Sequence, residues 1–180
     1  MVAAGKVRVA TMWLSGCSGC HMSFLDMDEV LIDLAAKIQV VYSPLADVKV
    51  FPESVDVTLI EGAVANEEQL ELLKLARERT KVLISLGDCA VTGNVPALRN
   101  AWDNSAQLAL ERAYVENADV NKQIPTDVPE LLAKVRPLHE LVNVDYFVPG
   151  CPPPADVITY VLTELLAGRK PNMEGKSKFG

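Results

Sequence analysis

Three times along this chain a short apolar run ends at a tight turn that carries cysteine. Lys6 to Trp13 leads into Leu14–Cys20 with Cys17 and Cys20, Lys81 to Leu86 into Gly87-Asp88-Cys89, and Asp145 to Val148 into Pro149-Gly150-Cys151. A fourth run, Val55 to Ile60, stops at Glu61-Gly62. Runs of this length, rich in β-branched residues and closed by glycine, read as buried strands. Helical patterns lie between them. From about Ser23 to Ile38 the apolar residues Phe24, Met27, Val30, Leu31, Leu34, Ala35 and Ile38 recur at helical spacing, with Ser23 as N-cap and Asp26 in the capping-box position. Asn66 heads a second helix with acids in its first turn and bases in its last, as the helix dipole favours.

The remaining segments follow the same logic. Gln39 to Tyr42 is a short strand, and residues 44–54 and 91–104 read as loops. Ala106 to Asn117 is expected to be helical, residues 121–127 polar and irregular, and a helix capped by Thr126 or Asp127 is expected to run to about His139. Residues 149–154, with their prolines, form a rigid loop. Asp156 to Ala167 is a last helix stopped by Gly168, and the polar tail from Arg169 is expected to be extended. Strands alternating with helices predict an α/β fold with a mostly parallel sheet. With 180 residues the chain fits a single domain, taken as residues 1–168, followed by a tail over residues 169–180.

In open parallel sheets, functional sites gather beyond the carboxyl ends of the strands. All four cysteines fall there, and glycine or proline stands beside each turn. A C-x-x-C such as Cys17–Cys20 serves zinc, redox dithiols and iron–sulfur clusters alike. Cys89 and Cys151 narrow the choice. A zinc ribbon expects a second C-x-x-C, and a thioredoxin-type dithiol needs no further thiol, whereas a cluster of four irons takes one thiolate per iron. Buried unligated cysteines and a structural zinc site remain the competing readings.

Charge and hydropathy exclude several classes. The net charge is −7 and no basic cluster is present, so nucleic acid is not an expected partner. No apolar run approaches the roughly 18–20 residues of a membrane span, so direct membrane insertion is not expected. Met1 to Ala10 is interrupted by charge and has no twin-arginine pair, unlike a signal peptide, which points to a cytoplasmic chain. In that compartment, cysteines are metal-binding or catalytic rather than structural disulfides.

Four motifs together carry a resemblance: Trp13-Leu-Ser-Gly-Cys-Ser-Gly-Cys-His21, Glu61-Gly62-Ala63, Gly87-Asp88-Cys89-Ala90 and Pro149-Gly-Cys-Pro-Pro-Pro154. In order and spacing, from about Arg8 to Gly168, the chain resembles the small subunits of nickel–iron hydrogenases, most closely the short small subunit of the NAD-reducing soluble enzymes. The resemblance implies a flavodoxin-like domain with helices on both faces of the sheet. It implies one [4Fe–4S] cluster on Cys17, Cys20, Cys89 and Cys151, a nickel–iron centre on a separate large subunit, and an iron–sulfur and flavin diaphorase that passes electrons to NAD. No cysteine is left for a second cluster. FMN on this chain is not expected, since the first loop offers only Ser15 and Ser18 as hydroxyls to cradle phosphate.

The chain also departs from that family. Many relatives have Glu two residues after the second cysteine, whereas here His21-Met22 follows Cys20. Glu61 is therefore the acidic candidate for a proton relay, with a loop-capping role as the alternative. The complex I homologue has two adjacent cysteines in its first motif, unlike the C-x-x-C here. His21 reads as a partner to a cluster sulfur or a neighbouring chain, with a surface position as the alternative, and His139 as complementing a helix dipole. Trp13 and Trp102 read as packing residues, and Asp26, Asp28 and Glu29 as a solvated helix start.

Overall fold

The computed structural model describes residues 5–179. Met1 to Ala4 of the N-terminal stretch read above, and Gly180 of the tail, lie outside the described residues. The chain order is β1 (Val7–Trp13), α1 (Gly19–Leu25), α2 (Val30–Ala35), β2 (Ile38–Tyr42), β3 (Val55–Glu61), β4 (Val64–Asn66), α3 (Glu67–Arg79), β5 (Thr80–Leu86), α4 (Asp88–Thr92), α5 (Ser105–Glu111), β6 (Leu131–Arg136), β7 (Tyr146–Val148) and α6 (Ala155–Leu166). Short 3-10 stretches cover Val95–Ala101 and Leu138–Glu140, and a π-helical turn covers Arg112–Glu116.

Five strands form one parallel sheet in the order β2-β1-β3-β5-β7, and β4 pairs antiparallel with β6 beside it. The chain leaves β1 for β2 on one side and returns to β3 on the other, so the winding reverses between β1 and β3. A crevice opens at the carboxyl ends of such a pair. There Trp13 of β1 stands in register with Glu61 of β3.

Neighbouring residues of a strand face opposite sides, and both sides are covered. Val9, Val57, Leu59, Ile84, Leu86 and Val148 pack against Phe24 of α1 and Val157, Ile158, Val161 and Leu162 of α6. Ala10, Met12, Ile60 and Leu83 face the other way, onto Leu73 and Ala76 of α3 and onto Leu138. This is the α/β fold expected, with helices on both faces. Each large apolar side chain so buried stabilises the fold by roughly 1.5–3 kcal/mol relative to exposure. The Asn66 cap is present, its side chain accepting the Gln69 N–H at 2.8 Å. Beyond Gly168 the chain lies along α6: Arg169 pairs with Glu164, Met173 packs on the core, and Lys176 stands 4.3 Å over the Tyr160 ring. Among the described residues, no helix is long and apolar enough to cross a membrane.

Several sequence expectations are corrected. The helix expected over residues 23–38 is two short helices. Between them Met27 is buried and Asp28 turns to a φ of +49°, and the local hydrogen bonds run from residue i to i−3, which tightens the turn and stops the ladder. Ser23 is not an N-cap; it is buried within α1 and donates its hydroxyl to the Pro153 carbonyl. Residues 91–104 are not a loop but the end of α4 and the 3-10 stretch. The helix expected to end near His139 is the strand β6. Its backbone is held from elsewhere: Asn100 Nδ2 donates to Val135 O and Oδ1 accepts from Val135 N, both at 2.8 Å, and Arg99 donates to Leu132 O at 2.8 Å. Pro129 and Pro137 bracket the strand. His139 consequently sits on a single 3-10 turn, edge-on to Phe147 at 5.8 Å.

Candidate metal centre

The four cysteines reach one place from three strand ends. Cys17 lies in the turn after β1 and Cys20 in the first turn of α1. Cys89 lies in the first turn of α4, after β5, and Cys151 in the loop after β7. All four line a single cavity of about 60 Å³, together with Gly16, Gly19, Glu61, Gly62, Asp88, Gly150 and Pro152. Cys17 and Cys151 are exposed and Cys20 and Cys89 are half-buried, so the cavity is backed by the sheet and open at its outer rim.

The loops are tied to one another. Gly87 N donates to Val148 O at 2.8 Å, Asp88 N to Gly150 O at 2.9 Å, and Gly150 N to Asp88 Oδ1 at 2.6 Å. These bonds lock the Cys89 turn onto the Cys151 turn. Leu14 N donates to Glu61 O at 2.9 Å, and Ser15 and Ala63 exchange bonds of 2.9 and 2.8 Å, which holds the Cys17 turn on the Glu61-Gly62 turn. Glycine is required at two of these crossings. A Cβ on Gly62, whose φ is +84°, would stand 2.9 Å from the Leu14 and Ser15 carbonyl carbons. A Cβ on Gly87, whose φ is +82°, would stand 2.2 Å from the Cys20 sulfur.

The thiols share one electrostatic neighbourhood. Burial pushes the Cys20 thiol far up, and Glu61, Cys89, Cys17 and Cys151 add to the effect. Burial also raises Cys89, followed by Cys151 and Cys17, while a hydrogen bond from the Val95 backbone N–H opposes the rise. Bare thiolates therefore destabilise one another here. Bound metal cations remove that conflict, because a coordinating thiol is held deprotonated. Four thiols around a glycine-walled cavity are the donor set of an iron–sulfur cluster, and the residues fit that group.

Glu61 closes the inner wall. It is 1% exposed, and its Oε2 accepts the His21 backbone N–H at 2.7 Å. His21 Nδ1 also lies 3.0 Å from Oε2, close enough for an ion pair when the ring is protonated but without the alignment of a hydrogen bond. Glu61 Oε1 is buried without a hydrogen-bond partner among the described residues. The His21 ring is buried in this chain, edge-on to Trp13 with centroids 5.2 Å apart. Asp26, Asp28 and Glu29 are exposed, and so is Trp102.

In the sequence Ser23 reads as an N-cap, and neither Asp88 nor Asn94 carries a role. Asp88 could have been noticed as a carboxylate beside a cysteine in a strand-end turn. Asn94, whose Nδ2 donates to Cys151 Sγ at 3.6 Å, has no such signal, because Cys151 is brought to it only by the sheet.

The family model for the NADH ubiquinone oxidoreductase 20 Kd subunit matches residues 17–165. The HoxS subunit delta of the NAD-reducing hydrogenase of Cupriavidus necator is 46% identical over 171 residues, which cover 92% of this chain and 81% of that protein. A subunit of the F420-non-reducing hydrogenase of Methanothermobacter marburgensis is 43% identical over 93% of this chain, but only 56% of its own length is spanned. A chain in the crystal structure of an NAD+-reducing [NiFe]-hydrogenase in the H2-reduced state superposes with a TM-score of 0.91 at 40% identity, covering 97% of this chain and 99% of that one. The chain belongs to the NADH ubiquinone oxidoreductase 20 kDa subunit family, and within it to the small subunits of nickel–iron hydrogenases.

Proposed function

We propose that this chain holds one [4Fe–4S] cluster on Cys17, Cys20, Cys89 and Cys151. Through it the chain carries electrons between the nickel–iron site of a large partner subunit and a diaphorase module that reduces NAD. The observation that carries this reading is the convergence of four thiols, from three separate strand ends, on one cavity. The rival reading, a structural zinc, asks for ligands about 2.3 Å from one point. Among the described residues, no group of three or more His, Cys, Asp or Glu side chains is arranged to hold a single metal ion.

When bound, the cluster supplies a one-electron relay at potentials set by its surroundings. The chain's residues supply the rest. The four thiolates act as ligands and not as nucleophiles. Gly87 keeps a side chain off the Cys20 sulfur, Gly62 lets its turn pack against the Leu14 and Ser15 backbone, and Asp88 fixes the Cys89 turn on the Cys151 turn. The exposed rim at Cys17 and Cys151 faces the large subunit. Glu61, with an unpartnered buried oxygen at the wall, is the acid that relays protons on this chain. Residues 1–168 form the cluster-binding domain and residues 169–180 its tail. From the cluster, electrons leave for a cofactor on a partner protein. The NAD-reducing name of the Cupriavidus necator relative supports NAD as the final acceptor; in this reading a diaphorase is that protein and the reaction runs in the cytoplasm. The Methanothermobacter relative's F420-non-reducing name keeps a different soluble acceptor as the second reading.

Iron and acid-labile sulfide are measured on protein purified without air together with its co-purifying partners, and hydrogen-dependent NAD reduction is assayed on the same sample. About four of each per chain, after the partners' share is subtracted, supports the cluster. Zinc without sulfide sinks it. A full complement of cluster with no NAD reduction, and a different acceptor module co-purifying, moves the function to the second reading.

A further inference from the structure

Just beyond α4 the backbone takes two consecutive residues through positive φ, Gly93 at +88° and Asn94 at +37°. Glycine does this freely, but asparagine at a ψ of −131° lies in a region that disfavours side chains and is strained there. The side chain meets a sulfur. Half-buried Asn94 donates from Nδ2 to Cys151 Sγ at 3.6 Å. The next residue, Val95, donates its backbone N–H to Cys89. One strained corner thus aims two adjacent donors at two cysteines that come from different strands. A thiolate sulfur offers only lone pairs, so the amide must present its NH2 end to Cys151.

We infer that Asn94 is a positioning residue that sets the reduction potential of the cluster held by Cys151. This inference rests on the proposed [4Fe–4S] reading. The reduced state carries one more negative charge than the oxidised state. An N–H aimed at a ligand sulfur stabilises that charge and raises the potential, since hydrogen bonds to sulfur are among the groups that set it. Neither residue is a ligand, and Asn94 lies outside the three cysteine-bearing motifs and Glu61-Gly62-Ala63.

The test is a redox titration of the anaerobically purified complex, followed by electron paramagnetic resonance, on wild type, Asn94→Gly and Asn94→Asp. Glycine suits the backbone at this position, so Asn94→Gly removes the amide without loading the fold. At the potential where the wild-type cluster is half reduced, the reduced-to-oxidised ratio is expected to fall about three- to tenfold in Asn94→Gly, tenfold being about 59 mV for one electron. Asn94→Asp, of the same size but anionic, is expected to fall further. Iron and sulfide should stay at the wild-type level in both. A variant Asn94→Gly with full iron and an unchanged potential overturns the inference and leaves the cluster reading standing. Loss of iron from Asn94→Gly also overturns it, because the residue then serves assembly. A wild-type chain without iron and sulfide sinks the cluster reading itself.

Discussion

Asp88 and Gly150 grip each other in both directions: Asp88 N donates to the Gly150 carbonyl at 2.9 Å, and Gly150 N donates to Asp88 Oδ1 at 2.6 Å. Cys89 and Cys151 are the next residues along, so this pair sets the distance between two of the four sulfurs. Asp88 is 6% exposed, and a buried hydrogen bond to a carboxylate is among the stronger kinds. Asp88→Ala is expected to lower stability by about 2 kcal/mol, a Tm drop of roughly 4–8 °C for a chain of this size. Iron per chain should fall with it. Asp88→Asn keeps an acceptor oxygen and should lose less of both. Thermal unfolding and iron analysis on the three proteins check the order.

Gly87 makes a sharper demand. Its φ is +82°, and a Cβ there would lie 2.2 Å from the Cys20 sulfur. Gly168, at a φ of +71°, has nothing within 4 Å of its virtual Cβ. Both positions strain any other residue by about 1–3 kcal/mol, but only one meets a cysteine of the proposed cluster site. Gly168→Ala should therefore cost stability alone. Gly87→Ala should in addition displace Cys20, lowering iron and changing the paramagnetic resonance spectrum. Equal iron content in the two variants would show that the contact with Cys20 is unimportant.

Much of this is legible in the sequence alone. The runs Val55–Ile60 and Lys81–Leu86 read as buried strands because both sheet faces are covered, and β3 and β5 fall on them. The four cysteines read as one site because each ends a strand of a parallel sheet, and one cavity does gather them. What failed depended on distant partners. Leu131, Leu132, Val135 and Leu138 satisfy a helical spacing as well as they satisfy a strand, and the choice is made by Asn100 and Arg99, far away in sequence. The break between α1 and α2 rests on one left-handed residue, Asp28, that no periodicity marks. Asn94 was invisible for the same reason, since its acceptor is Cys151.

Far from the four cysteines, Asp56 ties three strands at the opposite end of the sheet. It accepts from Lys81 Nζ at 2.8 Å and from the Arg8 backbone N–H at 2.8 Å. The Lys81 hydrogen bond, foremost, holds its carboxyl below the ordinary range. A folded pKa below the unfolded one means that the unfolded chain binds more protons in that window, so stability rises with pH through it. The contribution is present above the unfolded value near 4 and is lost as pH falls through the folded one. Because the pair is solvent-facing, Asp56→Asn should cost less than about 1 kcal/mol at neutral pH. The gap between wild type and variant should close as pH falls below about 4. Unfolding midpoints taken across pH ~2–7 on both proteins check this, and a gap independent of pH would rule the mechanism out.

Glu61 allows proton and electron traffic to be separated. Its Oε2 is occupied by the His21 N–H, while Oε1 stands buried, without a hydrogen-bond partner among the described residues, at the wall of the thiol cavity. Glu61→Gln preserves the size of the side chain and an acceptor for His21, but it removes the group that can gain and lose a proton. If Glu61 relays protons, hydrogen oxidation by the complex should fall by about a hundredfold, the scale of a lost acid–base group. Iron content and paramagnetic resonance spectrum should stay near wild type. Glu61→Asp should recover part of the rate, since it restores the carboxylate at a shorter reach. Glu61→Ala is less informative, because it also frees the His21 N–H and opens a hole behind Cys20. A Glu61→Gln enzyme with an intact cluster and an undiminished rate assigns the carboxylate to holding the Cys20 turn through His21, and sends the protons by a route that does not pass through this chain.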